Sequence, residues 1–433
     1  VPFFAPGKGL LRDPPAAGDP VERVGGGEGG DGWPTFAALR HRNFRIFYAG
    51  HLLSLSGTWL QITAVGWLVL ELTNSPLWLG IVNAMTSVPI LLFSLYAGVL
   101  ADRHDKRTIL IAAQTVAFVQ ALTLAILTHL GMVSVGAVAG LLLLLGVSNA
   151  FEIPTRQSFF VELVGERDLT NAIALNSAAF NATRMVGPAI AGALIGTVGV
   201  AACFYGNAAS FLAAIGGLVA IRRPPPAKLP QTVSTWQNIR EGIDWIRNHD
   251  IARTIVLFIA AASVFVFPFS MLLPVFARDI LEVGPQGLGL LFSATGAGAL
   301  VSGLALATVA DRFPRGRLLL ISATAFSMFV GAFALSASFL LSLIFLVAAG
   351  FCMILCTASA NSLLQAHVPN QLRGRVMSVY VTMFLGVTPI GYLLAGWLAG
   401  LIGARITVAA GASILLILLA TVHWRSPLLR SAI

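Results

Sequence analysis

Charge is scarce in this chain. Asp, Glu, Lys and Arg make up 10% of its 433 residues, while 57% are hydrophobic. A soluble domain carries about 25% charge, so most of this sequence cannot face water and an ordinary soluble protein is excluded. Cysteine is scarcer still: three residues, too few for a disulfide framework. No Gly-x-x-x-x-Gly-Lys segment occurs, so the chain has no loop to cradle phosphates and does not use ATP directly. The seven histidines, at 41, 51, 104, 129, 249, 367 and 423, are scattered rather than gathered with acids. That argues against a membrane enzyme and against a metal site, and no cofactor is expected. Cys352 and Cys356 lie four apart on one helix face without His or acidic partners and read as small core residues.

What the chain has instead is long apolar runs. Twelve are near the ~20 residues that span a bilayer: roughly 45–71, 76–101, 108–130, 133–153, 172–197, 200–221, 253–277, 286–310, 318–336, 339–359, 375–402 and 405–424. Residues 1–34, with the run Gly25-Gly26-Gly27-Glu28-Gly29-Gly30, cannot bury a core and read as a disordered cytoplasmic tail. The domain plan is then a first six-helix bundle at 35–222, a linker at 223–250, a second bundle at 251–424 and a short tail at 425–433. In the linker, Trp236, Ile239, Ile243 and Ile246 recur at helical spacing among Arg240, Glu241, Asp244 and Arg247. That pattern predicts an amphipathic helix, on the membrane surface or as a solvated connector.

The net charge of +9 would suit nucleic acid, but its placement does not. Residues 1–39 carry three basic and five acidic side chains, so the remainder is +11, mostly in short turns between apolar runs. With the N-terminus inside, outer loops hold only Arg278 and Arg405, Arg184 falls within a span, and the other 24 of 27 basic residues are inside or near inner helix ends. This asymmetry predicts both termini in the cytoplasm.

One turn organises the sequence. Gly98-Val99-Leu100-Ala101-Asp102-Arg103-His104-Asp105-Lys106-Arg107 joins the second and third spans. A copy, Ala310-Asp311-Arg312-Phe313-Pro314-Arg315-Gly316-Arg317, follows with its Asp 209 positions later (311 minus 102), near half the chain length. A turn repeated at that distance points to two parallel halves. Polar residues inside the spans are few: His51, Gln61, Asn83, Gln114, Gln120, Asn149, Asn176, Asn181, Arg184, Asn207, Tyr380 and Tyr392. Each either lines a cavity or hydrogen-bonds between helices. Arg184 stands apart, since a charge within a span needs water or a partner. Its planar guanidinium suits an anionic or acceptor group of a substrate.

The turn resembles the conserved loop of the major facilitator superfamily. Further stretches resemble one branch of it, the transmembrane secretion effector group that includes enterobactin and drug exporters. They are Gly57-Thr58-Trp59-Leu60-Gln61, Pro154-Thr155-Arg156-Gln157, Asn171-Ala172-Ile173-Ala174-Leu175-Asn176-Ser177, Gly187-Pro188, Asn361-Ser362-Leu363-Leu364-Gln365 and Arg373-Gly374-Arg375-Val376-Met377-Ser378. The resemblance implies an all-α membrane protein of twelve transmembrane helices, in two pseudo-symmetric six-helix bundles around a cavity open alternately to each side. It implies a cytoplasmic latch in which Asp102 faces the start of the eleventh helix, near 373–376. A helix N-terminus favours a carboxylate, and Gly98 would let the two helices approach. Asp311 would latch similarly toward Asn171, more loosely because Ala307 replaces the glycine. Arg103, Lys106, Arg107 and Arg312 belong to the same gate, or are solvated turn residues.

Gly187, Pro188 and Gly192 resemble the family's exporter-associated motif in the fifth helix. The superfamily's proton-coupling carboxylate has no counterpart: position 58 is Thr, and Glu71 and Glu152 stand at helix ends. His51, or an Arg184–Glu152 pair, is the substitute. Cavity candidates are therefore Arg184, Asn181, Gln61, His51, Asn83, Glu152 and Tyr380. The reading is a monomeric secondary active exporter of a small amphiphilic siderophore, drug or metabolite, in the bacterial cytoplasmic (inner) membrane. Its partners are that substrate, membrane lipid and protons, not nucleic acid. A lysolipid transporter, a non-transporting receptor and a lipid-modifying enzyme are the alternatives.

Overall fold

The apolar runs fold as helices because a backbone in hydrocarbon must satisfy its own hydrogen bonds. The computed structural model describes residues 34–221, 235–309 and 314–425, and no strand occurs among them. Both expected tails, and Asp311 with Arg312, lie outside the described residues, as do the side chains of Asp102, Trp236 and Ile239.

The first bundle opens with α1 (Arg42–Thr73), α2 (Pro76–Arg103) and α3 (Lys106–His129). A helical run then extends over Val135–Thr197. At 1.5 Å per residue its 63 residues would reach about 95 Å, three times the hydrocarbon thickness. It breaks at Gly165, whose φ of 73° is left-handed, giving α4 (135–164) and α5 (166–197). The first bundle closes with α6 (Val200–Ala220). The second contains α7 (Asp250–Ile280), α8 (Gly284–Val309), α9 (Arg315–Leu335), α10 (Phe339–His367), α11 (Arg373–Ile402) and α12 (Ala404–Arg425). Splitting the long run turns eleven membrane-length helical runs among the described residues into twelve passes. Prolines bend α7, whose 3-10 stretch Phe267–Leu272 includes Pro268.

Two boundaries differ from the expectation in a way that matters. The fourth span was expected to end at 153; the helix continues to 164, through Pro154 and the polar Thr155-Arg156-Gln157. The tenth runs to His367 rather than 359.

Turns at one end of the bundle are basic, with Arg103, Lys106, Arg315 and Arg373; turns at the other hold Asn74, Gly131, Gly199 and Gly403. We call these the basic and neutral ends. At the basic end a cluster of Phe44, Phe47, Phe159 and Phe160 joins α1 to α4, with ring centroids 5.8–6.1 Å apart in edge-on contacts. The linker helix, Thr235–Asn248, packs on the start of α11: Glu241 pairs with Arg375, and Gly242 lies so close that a Cβ would come 2.8 Å from the Arg375 carbonyl. Ile246 is buried. The expected amphipathic helix therefore exists, with part of its apolar face on protein.

Candidate functional site

The two bundles meet near the neutral end through small residues. A Cβ on Gly80 of α2 would come 2.4 Å from the Tyr392 carbonyl of α11, and one on Gly396 of α11 would come 2.8 Å from the Pro76 carbonyl. The α5–α8 contact is its counterpart: a Cβ on Gly192 would come 2.5 Å from the Pro285 carbonyl, and one on Gly289 would come 2.4 Å from the Pro188 carbonyl. Only glycine permits such approach. The helix-5 motif thus forms an inter-bundle contact, and Gly187 makes room for Trp59, whose Cβ would lie 2.6 Å from a side chain there.

Toward the basic end the bundles part. Gly98 follows Gly80 by eighteen positions (98 minus 80), five turns of 3.6 residues, so both lie on one face of α2 about 27 Å apart. Among the described residues, Gly98 has nothing within 4 Å of where its Cβ would be; the same holds for Gly303 of α8 and Gly374 of α11. The close approach expected at Gly98 is not made in this conformation. The basic residues of the turn are engaged elsewhere. Lys106, 6% exposed, pairs with Glu162 of α4 at 2.5 Å. Arg107 donates to the carbonyls of Leu218 and Val219 at 2.6 and 2.7 Å, capping α6. Arg103 is exposed. Asn171, the expected contact of the second latch, accepts from the Ala38 N–H at 2.9 Å, and Asp168 pairs with His41 at 2.8 Å.

Between these ends lies a cavity of about 400 Å³. Its walls come from both bundles: His51, Trp59, Asn83, Glu152, Arg156, Phe180 and Arg184 from the first, and Met271, Phe292 and Tyr392 among those from the second. On one side stands a polar cluster. Glu152 and Arg156, one turn apart on α4, pair at 2.8 Å. Arg156 Nη1 lies 2.9 Å from His51 Nε2 and donates to Asn176 Oδ1 at 3.1 Å. His51 Nε2 and Asn176 Oδ1 are 3.0 Å apart. His51 and Glu152 are buried. Phe47 stacks on the imidazole, centroids 5.6 Å apart. Glu152 is ten positions before Glu162, hence about 15 Å from the Lys106–Glu162 pair. It sits well inside α4 rather than at a helix end, which corrects the expected absence of a deep carboxylate. Its partner is Arg156, not Arg184.

Arg184, eight positions after Asn176 on α5 and so about 12 Å along it, also lines the cavity, its Cζ 5.8 Å from the centroid of the Trp59 indole. Other expected cavity residues fare differently. Gln61 lines the cavity, but its amide donates to Gln120 Oε1 at 3.2 Å and accepts from Asn207 at 2.8 Å, tying α1 to α3 and α6. Asn83 lines it too and donates to its own helix at Leu79. Asn181 donates to the Ser177 carbonyl and is not in the wall. Tyr380 is fully buried inside the second bundle, because it follows the buried Val376 and Met377 on the inner face of α11. Arg156 and Trp59 belong to the sequence motifs, and the fold adds both to the cavity wall. The i,i+4 spacing of Glu152 and Arg156 was the available signal, obscured by Pro154 between them.

Twelve membrane-length helices in two bundles, closed at one end over a shared polar cavity, define a membrane transporter of the major facilitator fold. A family model described as transmembrane secretion effector matches residues 33–431, and the chain belongs to that family of the major facilitator superfamily. It is similar to the staphyloferrin A transporter of Staphylococcus aureus, 24% identical over 83% of this chain and 90% of that one. It is also similar to the multidrug efflux pump Tap of Mycolicibacterium fortuitum, 26% identical over 82% and 88%. Among solved structures, a bacterial homologue of the human lysosomal transporter Spinster, inward-facing and unoccupied, matches with a TM-score of 0.70 and 14% identity over 93% of this chain and 98% of that one. The protein is a multi-pass membrane transporter of small molecules, not an enzyme.

Proposed function

We propose that the protein is a proton-coupled exporter of a small amphiphilic molecule from the bacterial cytoplasm, working as a monomer by alternating access. The observation that carries the reading is the shape of the inter-bundle contact: closed at the neutral end by paired glycines, parted at the basic end, with the polar cavity between. Basic turns favour the cytoplasmic side, so both termini are cytoplasmic and this conformation opens inward. The halves 35–222 and 251–424 then rock about the cavity, and in the outward state Gly98 and Asp102 approach the start of α11. A staphyloferrin A transporter and a multidrug efflux pump among the relatives support a siderophore, drug or metabolite as cargo.

The polar cluster supplies the coupling. His51 Nε2 can accept from Arg156 only when it carries no proton. Once protonated it donates to Asn176 instead and stands as a second cation against Arg156. Proton binding thus opposes the Arg156 contact and loosens α1 from α4. The groups facing His51 are Glu152 and Arg156 from α4, the uncharged Asn176 from α5 and Gln114 from α3, and the apolar Ala214 and Leu218 from α6. The test is transport in proteoliposomes with an imposed pH gradient. His51→Gln, which keeps hydrogen bonding but does not titrate in this range, should abolish pH-driven accumulation while exchange across the membrane persists. Unchanged pH-driven accumulation in His51→Gln would remove the coupling assignment.

A further inference from the structure

Resting on the transport reading above, we infer that Arg184 is the anion-binding point of the substrate site, so that the transported class is amphiphilic anions rather than amphiphilic cations. Each neighbouring buried cation has its acid: Arg156 has Glu152, and Lys106 has Glu162. Arg184 has no ion pair and no hydrogen bond to any described residue; its recorded side-chain neighbours are the face of Trp59 and the phenol of Tyr392, neither of which carries a counter-charge. Among the described residues Glu152 is the single acid in the cavity wall, and it is occupied by Arg156. With His51 neutral, the wall carries one uncompensated positive charge.

The guanidinium does not reach the headgroup layer at either end, so only the cavity can supply it with a partner. Arg184 is thirteen positions from Thr197 and nineteen from Gly165, about 20 and 28 Å along α5, so snorkelling does not reach an interface. A cation kept inside a span without a counter-ion is costly, and an anionic guest removes that cost. Trp59 holds the guanidinium over an aromatic face, which leaves the edge N–H groups free to meet a carboxylate or similar oxyanion in two parallel hydrogen bonds. Phe180, Phe292 and Met271 line the same space and suit an apolar body attached to that group. A cationic amphiphile finds the aromatic surfaces but no free carboxylate.

The experiment compares two probes of one apolar body, a naphthylalkyl carboxylate and the matching naphthylalkyl trimethylammonium. Each is titrated into the purified full-length protein in uncharged detergent, with binding read by calorimetry. The carboxylate should bind at least tenfold more tightly than the ammonium. Arg184→Gln and Arg184→Ala should bring the carboxylate down to the affinity of the ammonium, and Arg184→Lys should fall between, since an ammonium lacks the fork geometry. Equal binding of the two probes by the unmodified protein, or an unchanged carboxylate affinity in either folded variant, would overturn the anion assignment and leave the transport reading standing. Binding of neither probe would overturn both. The comparison of probes needs no variant, so a misfolded substitution does not shield the inference.

Discussion

Arg278 of α7 donates to the carbonyl of Leu70 near the end of α1 at 2.7 Å, although 208 positions separate them. The same guanidinium reaches the Asn74 side chain and pairs with Asp279. Leu70 is in the last turn of α1, where the dipole favours a cation; its carbonyl accepts from the Asn74 N–H at 2.9 Å and takes Arg278 as a second donor. Asn74, with φ at 50°, ends that helix. Arg278 therefore ties the two bundles together at the neutral end, and the tie must break for that end to open. Hydrogen bonds to a charged group contribute roughly 1.5–3 kcal/mol, and partial exposure lowers this toward ~1. Arg278→Ala should shift the conformational balance about fivefold toward the neutral-open state. Spin labels at exposed positions 132 and 335, in a background without the native cysteines, should show a longer distance population that grows in the variant.

Gly80 and Gly98 predict opposite outcomes on one helix face. Gly80→Leu places a side chain against the Tyr392 carbonyl and should wedge the neutral end open. Gly98→Leu meets open space in this conformation and should leave it undisturbed, while obstructing closure of the basic end. The same spin-label distances should lengthen for Gly80→Leu and not for Gly98→Leu. Both variants should transport poorly.

The buried Lys106–Glu162 pair predicts a stability effect rather than a gating effect. Side-chain exposures of 7% and 9% mean that removing one partner leaves a charge with little water around it. Lys106→Met should destabilise the protein by about 3–5 kcal/mol, and Lys106→Met with Glu162→Leu should recover most of it. Thermal unfolding in detergent measures both. Equal stability of the single and double variants would mean that the pair is solvated.

Glu152→Gln tests the cluster from its other side. Arg156 then loses its acid and is left buried with only His51 and Asn176. A free cation there competes with Arg184 for an anionic substrate, so binding of a carboxylate should persist or tighten while pH-driven transport falls at least tenfold. Transport at the wild-type rate would separate Glu152 from coupling.

Much of this architecture is written in local patterns. Apolar length alone defines the spans, and the repeat of Asp102 at Asp311 marks the two halves, because both depend on nothing beyond the segment itself. Arg184 was legible for the same reason: a charge in an apolar run is anomalous wherever the run folds. Glu152 was not. Pro154 and the polar residues after it resemble a helix end, yet a proline inside a long span bends the helix without stopping it when neighbouring side chains satisfy the freed backbone. Here the Thr155 hydroxyl donates to the Phe151 carbonyl at 2.7 Å, beside the Ala150 carbonyl from which Pro154 withholds a donor. Tyr380 shows the other limit. Its polarity placed it among the cavity residues, but facing inward or toward the cavity depends on how α11 is rotated, and that is set by contacts with helices distant in sequence. Lys106 and Arg107 read as gate residues from their turn, while their partners, Glu162 and Leu218, could be found only in the folded bundle.

If the cavity carries a small amphiphile across the membrane, exchange flux will reveal it. Protein is reconstituted into liposomes loaded with unlabelled naphthylalkyl carboxylate, and entry of the radiolabelled compound is followed at equal pH on both sides. The wild type should show rapid saturable exchange, and Gly80→Leu, which holds the neutral end open, should lose at least tenfold. Tight binding of the compound with no exchange above protein-free liposomes would contradict it, because a cavity that binds without moving its guest belongs to a receptor.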